Sequence, residues 1–171
     1  LKNLSKIKLK KTPWLYEMST LGYNYRITDF QCALGSSQLK KLEKFITRRN
    51  KIASIYDEAF KNINGFTTPP KSKKVRNAYH LYPLLIDFTK MRISKSHFFN
   101  KLKKKKIYLQ VHYTPIHTQP FYKKKFGFKK KEFPNSLKFY EKTVSLPIYY
   151  GLKEREIYKI IKYVKKITGV K

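Results

Sequence analysis

The run TDFQCALGSSQLKKLEKFITRRNKIASIYDEAF, Thr28 to Phe60, decides how the rest of the sequence is read. Thr28 and Gln31 stand at the S/T-x-x-E/Q spacing of a capping box, in which each side chain satisfies a backbone N–H of the other at a helix start. Beyond them Phe30, Ala33, Leu34, Gln38, Leu42, Phe45, Ile52, Tyr56 and Phe60 recur at three- and four-residue spacing. That period puts them on one face of a helix and predicts a single long helix ending between Asn62 and Gly65, long enough to act as a spine.

Working outward, Trp14 to Arg26 reads as irregular structure around Gly22, and Thr67 to Arg76, with Pro69-Pro70 and clustered lysines, reads as a linker. Ala78 to Phe88 has strand composition, with Pro83 arguing for an edge position or a bulge. Ser94 caps a helix expected to run to about Lys106, and Ile107 to Tyr113 alternates as a second strand. Pro134 to Val144 and Lys153 to Ile167 are two further predicted helices. The last carries a stripe of Ile157, Ile160, Ile161, Val164 and Ile167. A long helix followed by a small α/β unit is the resulting order, with no internal repeat.

Composition bounds the function. A chain of 171 residues with 41% hydrophobic content can fill one ordinary core, so disorder is not expected. No apolar run approaches the roughly 18 to 20 residues that span a bilayer. The lysine-rich start, Leu1 to Thr12, reads as neither a signal peptide nor a translation start, and the single Cys32 has no internal partner. A soluble, cytoplasmic protein without a membrane partner is expected. The net charge of +30 raises nucleic-acid binding, but the excess is mostly lysine and is spread along the whole chain. A diffuse solvated surface with general attraction for anions ranks above a dedicated nucleic-acid face, which would favour clustered arginine.

Whole reaction classes are missing: there is no P-loop, G-x-G-x-x-G, C-x-x-C or H-E-x-x-H. Ten carboxylates are present, and Asp29, Glu43, Asp57, Glu58, Glu154 and Glu156 all fall on predicted surface helices, which leaves little for a carboxylate pair. Two segments remain. In Gly22-Tyr-Asn-Tyr-Arg-Ile-Thr-Asp29 a glycine, an amide and a guanidinium precede a helix N-terminus, which suits an anion; on residue chemistry alone a plain loop-to-helix junction, with Asn24 satisfying the turn and Arg26 solvated, ranks somewhat above it. In Gln110-Val-His-Tyr-Thr-Pro-Ile-His117, followed by Gln119, Phe121 and Tyr122, two imidazoles and two phenols lie just past a strand. Such a place suits a nucleobase or sugar. Strand-end core with satisfied polar tips is the other reading. No Cys, Asp or Glu stands nearby to complete a metal site.

These segments together resemble the DegT-type sugar aminotransferases, fold-type-I enzymes that use pyridoxal 5'-phosphate. The resemblance is carried by Trp14-Leu-Tyr-Glu-Met18, Leu21-Gly-Tyr-Asn-Tyr-Arg26, Asp29-Phe-Gln-Cys-Ala-Leu-Gly35 with Gln38-Leu39, Ala78-Tyr-His-Leu-Tyr82, Gln110 to His117 and Ser145-Leu-Pro147, in family order over nearly the whole chain. Their combination is most similar to members serving pseudaminic acid-type biosynthesis. The resemblance implies an α/β (α+β) fragment: residues 1–27 ending the large domain with the cofactor-phosphate loop, 28–65 the connecting helix, 66–171 the C-terminal small domain.

By the same resemblance Asn24 and Arg26 reach the cofactor phosphate in a partner subunit's site. Tyr113 and His117 line the nucleotide-sugar pocket, with His112 and Tyr122 weaker candidates, in orienting rather than proton-transferring roles. A homodimer, a UDP-linked 4-keto-6-deoxy-N-acetyl hexosamine aminated at C4, and glutamate as amino donor are implied. The family's cofactor-bonding lysine lies upstream of the Trp14 motif, and no lysine here has its surroundings. That lysine must be buried with a lowered pKa, which exposed lysines do not supply. These residues alone are therefore expected to be inactive. The competing readings are a non-catalytic nucleotide-sugar-binding or dimerisation remnant and, last, a basic nucleic-acid binder.

Overall fold

The architecture is that of a computed structural model, which describes residues 22, 23, 25–72 and 74–170. The chain divides into two units, Leu1–Leu39 and Lys40–Lys171. Of the first unit, the described part is a short approach and helix α1 (Asp29–Leu39). The capping box forms as its spacing requires: the Thr28 N–H donates to Gln31 Oε1 at 2.9 Å and the Gln31 N–H to Thr28 Oγ1 at 3.3 Å. No residue of α1 is buried.

In the second unit α2 (Leu42–Phe60) begins after a turn at Lys40 and Lys41, so the single helix expected from Thr28 is two helices. No glycine or proline stands at the break. The apolar pattern is anchored on one side of it only: α2 buries Ile52, Ala53, Tyr56 and Phe60, whereas α1 buries nothing. Burial, the force that would hold one register through Lys41, is missing from the N-terminal half.

Three antiparallel strands follow, β1 (Phe66–Thr67), β2 (Tyr82–Ile86) and β3 (Thr143–Leu146), in the order β1-β2-β3. Gly65 enters β1 at φ +88°, a left-handed value that a side chain resists, and its carbonyl accepts the Asp87 N–H at 2.7 Å. Registered pairs share a face, so Phe66, Ile86, Leu84, Val144, Tyr82 and Leu146 form one buried layer. Against it lie the rings of α2, with Tyr56 5.0 Å from Tyr82 and Phe60 5.8 Å from Phe66.

The strand containing Pro83 is the central one, not an edge, and the ladder explains why it is tolerated. Ser145 spends both its N–H and its C=O on Gln110, so the Pro83–Ser145 pair carries no hydrogen bonds. Position 83 therefore points its backbone groups away from β3, and there β1, paired only with Leu85 and Ile86, has already ended. Locally the proline sits at an edge.

Ile107 to Tyr113 does not form the predicted strand; it makes a single bridge, Gln110 to Ser145. The next hydrogen-bonded positions in register are 108 with 147 and 112 with 143. Pro147 has no N–H to offer. The Thr143 N–H is already given to Phe139 O at the end of α5 (Pro134–Lys142). The ladder stops on both sides. Val144, expected at the end of that helix, lies in β3 instead.

Two of the remaining helices close the core. Ser94 caps α3 (Lys95–Lys104), its hydroxyl accepting the His97 N–H at 3.1 Å, and α3 buries Phe98 and Leu102. A short α4 (Pro120–Phe126) precedes α5. The final α6 (Glu154–Thr168) buries Ile157, Ile160 and Val164, with Ile161 and Ile167 half-buried at the border of the predicted stripe. Asp57, expected on a surface helix, is buried. Tyr82 Oη donates to its Oδ1 at 2.6 Å and the Lys71 ammonium lies 2.6 Å from its Oδ2, so the carboxylate is paired where it leaves water. No helix among the described residues is long and apolar enough to cross a membrane.

Candidate sugar site

The segment after the Gln110 bridge leaves the sheet and folds against the end of α4 and the start of α5. His112 stays with the sheet, its Nδ1 2.8 Å from Ser145 Oγ. Tyr113 turns outward and is 74% exposed. Pro115 is buried, which anchors the chain, and a 3₁₀ turn at Ile116–Thr118 follows, closed by Thr118 Oγ1 donating to Pro115 O at 2.7 Å. That turn carries His117 inward, where it is buried with its ring 4.7 Å from Phe133. His117 Nε2 is 3.3 Å from Lys130 O. A carbonyl only accepts, so Nε2 carries a proton and donates it.

Tyr113, Pro115, Ile116, His117, Phe128 and Phe133 line an open cavity of about 490 Å³, with Thr114 and Ser136 adding hydroxyls. Apolar rings with a few convergent polar tips are the usual makings of a sugar or nucleoside site. The structure thus brings Tyr113 and His117 together. His112 belongs to the sheet, and Tyr122, stacked on Phe126 with centroids 6.0 Å apart, does not line the cavity. Phe128, Phe133 and Ser136 were missed in the sequence; the one available signal was aromatic residues interrupting the lysine triplets of residues 123–131.

In the first unit Arg26 is exposed, and Asn24 lies outside the described residues. A Cβ at Gly22 would meet nothing within 4 Å, so close approach of a ligand is not what the described structure explains there. An exposed guanidinium just ahead of a helix start fits the phosphate end of a pyridoxal phosphate by charge. Nothing described around it would hold the ring. Among the described residues no cluster of His, Cys, Asp or Glu could hold a metal ion.

Lys95, Lys142 and Lys165 depart from the exposed set expected, and Lys95 is the one among them whose pKa burial lowers. Lys95 is half-buried; its Nζ donates to Tyr140 O at 2.5 Å and lies 5.0 Å from the centroid of the Tyr140 ring. Burial pushes its pKa down to about 8, partly opposed by the Glu141 carboxylate. Elsewhere acids are matched by cations. Lys142 Nζ is 2.7 Å from Asp87 Oδ2 and holds that carboxyl below its ordinary value, and Arg76 pairs with Glu43.

This geometry can be set beside known proteins. The chain belongs to the DegT/DnrJ/EryC1/StrS aminotransferase family, whose model matches residues 1–165. It is 38% identical over 156 residues to the spore coat polysaccharide biosynthesis protein SpsC of Bacillus subtilis, covering 91% of this chain and 40% of that protein. It is 35% identical over 177 residues to the UDP-4-amino-4,6-dideoxy-N-acetyl-beta-L-altrosamine transaminase of Campylobacter jejuni, covering 95% and 46%. Among solved structures it resembles Helicobacter pylori PseC, an aminotransferase involved in the biosynthesis of pseudoaminic acid, with TM-score 0.83 and 32% identity over 94% of this chain and 43% of that one. The chain thus spans 40 to 46% of the length of these curated relatives. The fold is that of part of a pyridoxal-phosphate aminotransferase, and a sugar aminotransferase of this fold has been solved in pyridoxal- and pyridoxamine-phosphate forms.

Proposed function

We propose that these residues are the C-terminal part of a pyridoxal-phosphate aminotransferase that moves an amino group from glutamate to C4 of a UDP-linked 4-keto-6-deoxy-N-acetyl hexosamine, for cell-surface sugar synthesis of the pseudaminic acid type. The observation that carries the reading is the cavity in which Tyr113 and His117 converge, built from the segment that bears the family motif. In this reading residues 1–27 end the large domain, 28–65 connect, and 66–171 form the small domain.

The residues present would bind and orient. Pro115, Ile116, Phe128 and Phe133 offer an apolar floor to the deoxygenated edge of the sugar. His117, its ring held by the Nε2–H to Lys130 O, would orient the sugar as part of the cavity wall, and Tyr113 would add a phenolic hydroxyl. Arg26 and Asn24 would hold the cofactor phosphate across a homodimer interface, each subunit completing its neighbour's site. Pyridoxal phosphate, when bound, supplies the electron sink for the transfer. Lys95, the described lysine whose pKa burial lowers, does not line the Tyr113–His117 cavity, and the family's cofactor lysine lies upstream of the Trp14 motif, so the 171 residues alone are proposed to be inactive, in a cytoplasmic enzyme.

Titration of the protein with the UDP-linked keto sugar tests the pocket. Tyr113→Phe and His117→Gln are each expected to weaken binding about three- to tenfold, the loss of one hydrogen bond. Unchanged affinity in both would overturn the site. Turnover by residues 1–171 alone, with keto sugar and glutamate supplied, would overturn the division of labour. A second reading is a non-catalytic sugar-binding or dimerisation remnant. An in-frame large domain with its lysine in the coding DNA ahead of Leu1 decides against it.

A further inference from the structure

From α4 to the start of α5 the chain reads PFYKKKFGFKKKEF, residues 120–133, and neither the fold nor the sugar cavity uses most of it. It holds six lysines, Lys123, Lys124, Lys125, Lys129, Lys130 and Lys131, all exposed, against one acid, Glu132. That acid is engaged locally, its Oε1 accepting the Lys129 N–H at 3.0 Å. Large apolar side chains stand in solvent between the lysines: Phe121 is 63% exposed and Phe126 54%.

The aromatic residues form one chain of contacts. Phe121 meets Tyr122 edge-on at 5.3 Å, Tyr122 stacks on Phe126, Phe126 lies 5.6 Å from Phe128, and Phe128 lies 5.8 Å from Phe133. The Lys125 ammonium sits 5.5 Å from the ring centroids of both Phe121 and Phe126. Gly127, at φ +71°, ends α4 and separates the two lysine triplets. Exposed rings already ordered against one another lose little conformational freedom on burial.

We propose that this surface docks the protein on an anionic phospholipid bilayer, with Phe121 and Phe126 entering the headgroup–acyl boundary and the two lysine triplets meeting the lipid phosphates. The charge complementarity is direct: clusters of four to eight lysines are attracted to anionic leaflets, and flanking aromatic side chains anchor at the interface. A single-stranded nucleic acid fits less well. It needs ring faces free for stacking, whereas those of Tyr122 and Phe126 already lie nearly parallel, at 17°, against each other. No spanning helix is required for such docking.

The test is co-sedimentation of the protein, purified as its gene encodes it, with phosphatidylcholine vesicles with and without phosphatidylglycerol. Binding is expected only with phosphatidylglycerol, and to fall as salt is raised. Each lysine removed by Lys→Gln at 123, 124 or 125 costs about fivefold. Phe121→Ser with Phe126→Ser costs about tenfold or more at unchanged charge. As a control Lys159→Gln, Lys162→Gln and Lys166→Gln on α6 remove the same charge elsewhere and are expected to change binding less than twofold. Equal loss in the two lysine triples would mean diffuse attraction and overturn the proposal. So would phenylalanine variants that bind normally, the result expected if other parts of the protein cover the rings. Tighter, ring-dependent binding to an oligonucleotide would transfer the surface to nucleic acid. Unfolding midpoints of the variants equal to the parent's exclude misfolding as the cause.

Discussion

Tyr82→Phe removes one oxygen from the centre of the second unit and leaves its ring in place, 5.0 Å from Tyr56 and 6.4 Å from Tyr79. The lost hydroxyl donates at 2.6 Å to Asp57 Oδ1, a carboxylate with little access to water. Hydrogen bonds to charged groups contribute about 1.5 to 3 kcal/mol, and the oxygen left behind would have no replacement donor from solvent. The expected loss is therefore about 2 to 3 kcal/mol, read as a lower urea midpoint with an unchanged slope. Lys71, on the other oxygen of the same carboxylate, is 58% exposed, and such a pair contributes at most about 1 kcal/mol. Lys71→Ala should cost less than half as much as Tyr82→Phe. A Tyr82→Phe protein within about 0.5 kcal/mol of the parent, or one no less stable than Lys71→Ala, would refute the view that burial makes the phenol the principal partner of Asp57.

Three further outcomes are expected. Lys95, pushed down to about 8 from an ordinary 10.5, binds fewer protons folded than unfolded above pH 8, so its contribution to stability rises between about pH 8 and 10. Tyr56 and Tyr82, both pushed up by burial, act in the opposite sense above pH 10. Urea midpoints across pH 8 to 10 should accordingly show a rising component that Lys95→Met abolishes. Asp87, held low chiefly by Lys142, contributes stability that is lost as pH falls through its folded value; acid unfolding of Asp87→Asn should begin from a lower plateau and show a shallower dependence on pH. Gly65→Ala forces a side chain into φ +88° and sets its Cβ 2.6 Å from Met91 Cε, so a loss of about 1 to 2 kcal/mol is expected from thermal unfolding, even where the flexible methionine moves aside.

Much of the fold was legible in local chemistry. Thr28 with Gln31, and Ser94, announced helix starts because a cap is satisfied within three residues. The stripe of α6 was readable because one face of a surface helix meets one core. The pairing around Pro83 was not, since its tolerance depends on where β1 ends and on Ser145 being committed to Gln110, both set by distant chain. The site was half legible. The motif of Gln110 to His117 marked the segment, but only the 3₁₀ turn separates His117, carried into the cavity, from His112, held by Ser145.

Sequence alone therefore determined the family, several helix starts and the segment that borders the Tyr113–His117 cavity, because motifs, caps and hydrophobic period act over a few residues. Tertiary structure decided what depends on competition for a partner. Pro147 and the α5 end stopped the second strand, Tyr82 and Lys71 paired the buried carboxylate of Asp57, and burial lowered the pKa of Lys95. Each is a question of which group is left in water and which donor is already spent, and no stretch of contiguous residues contains that answer.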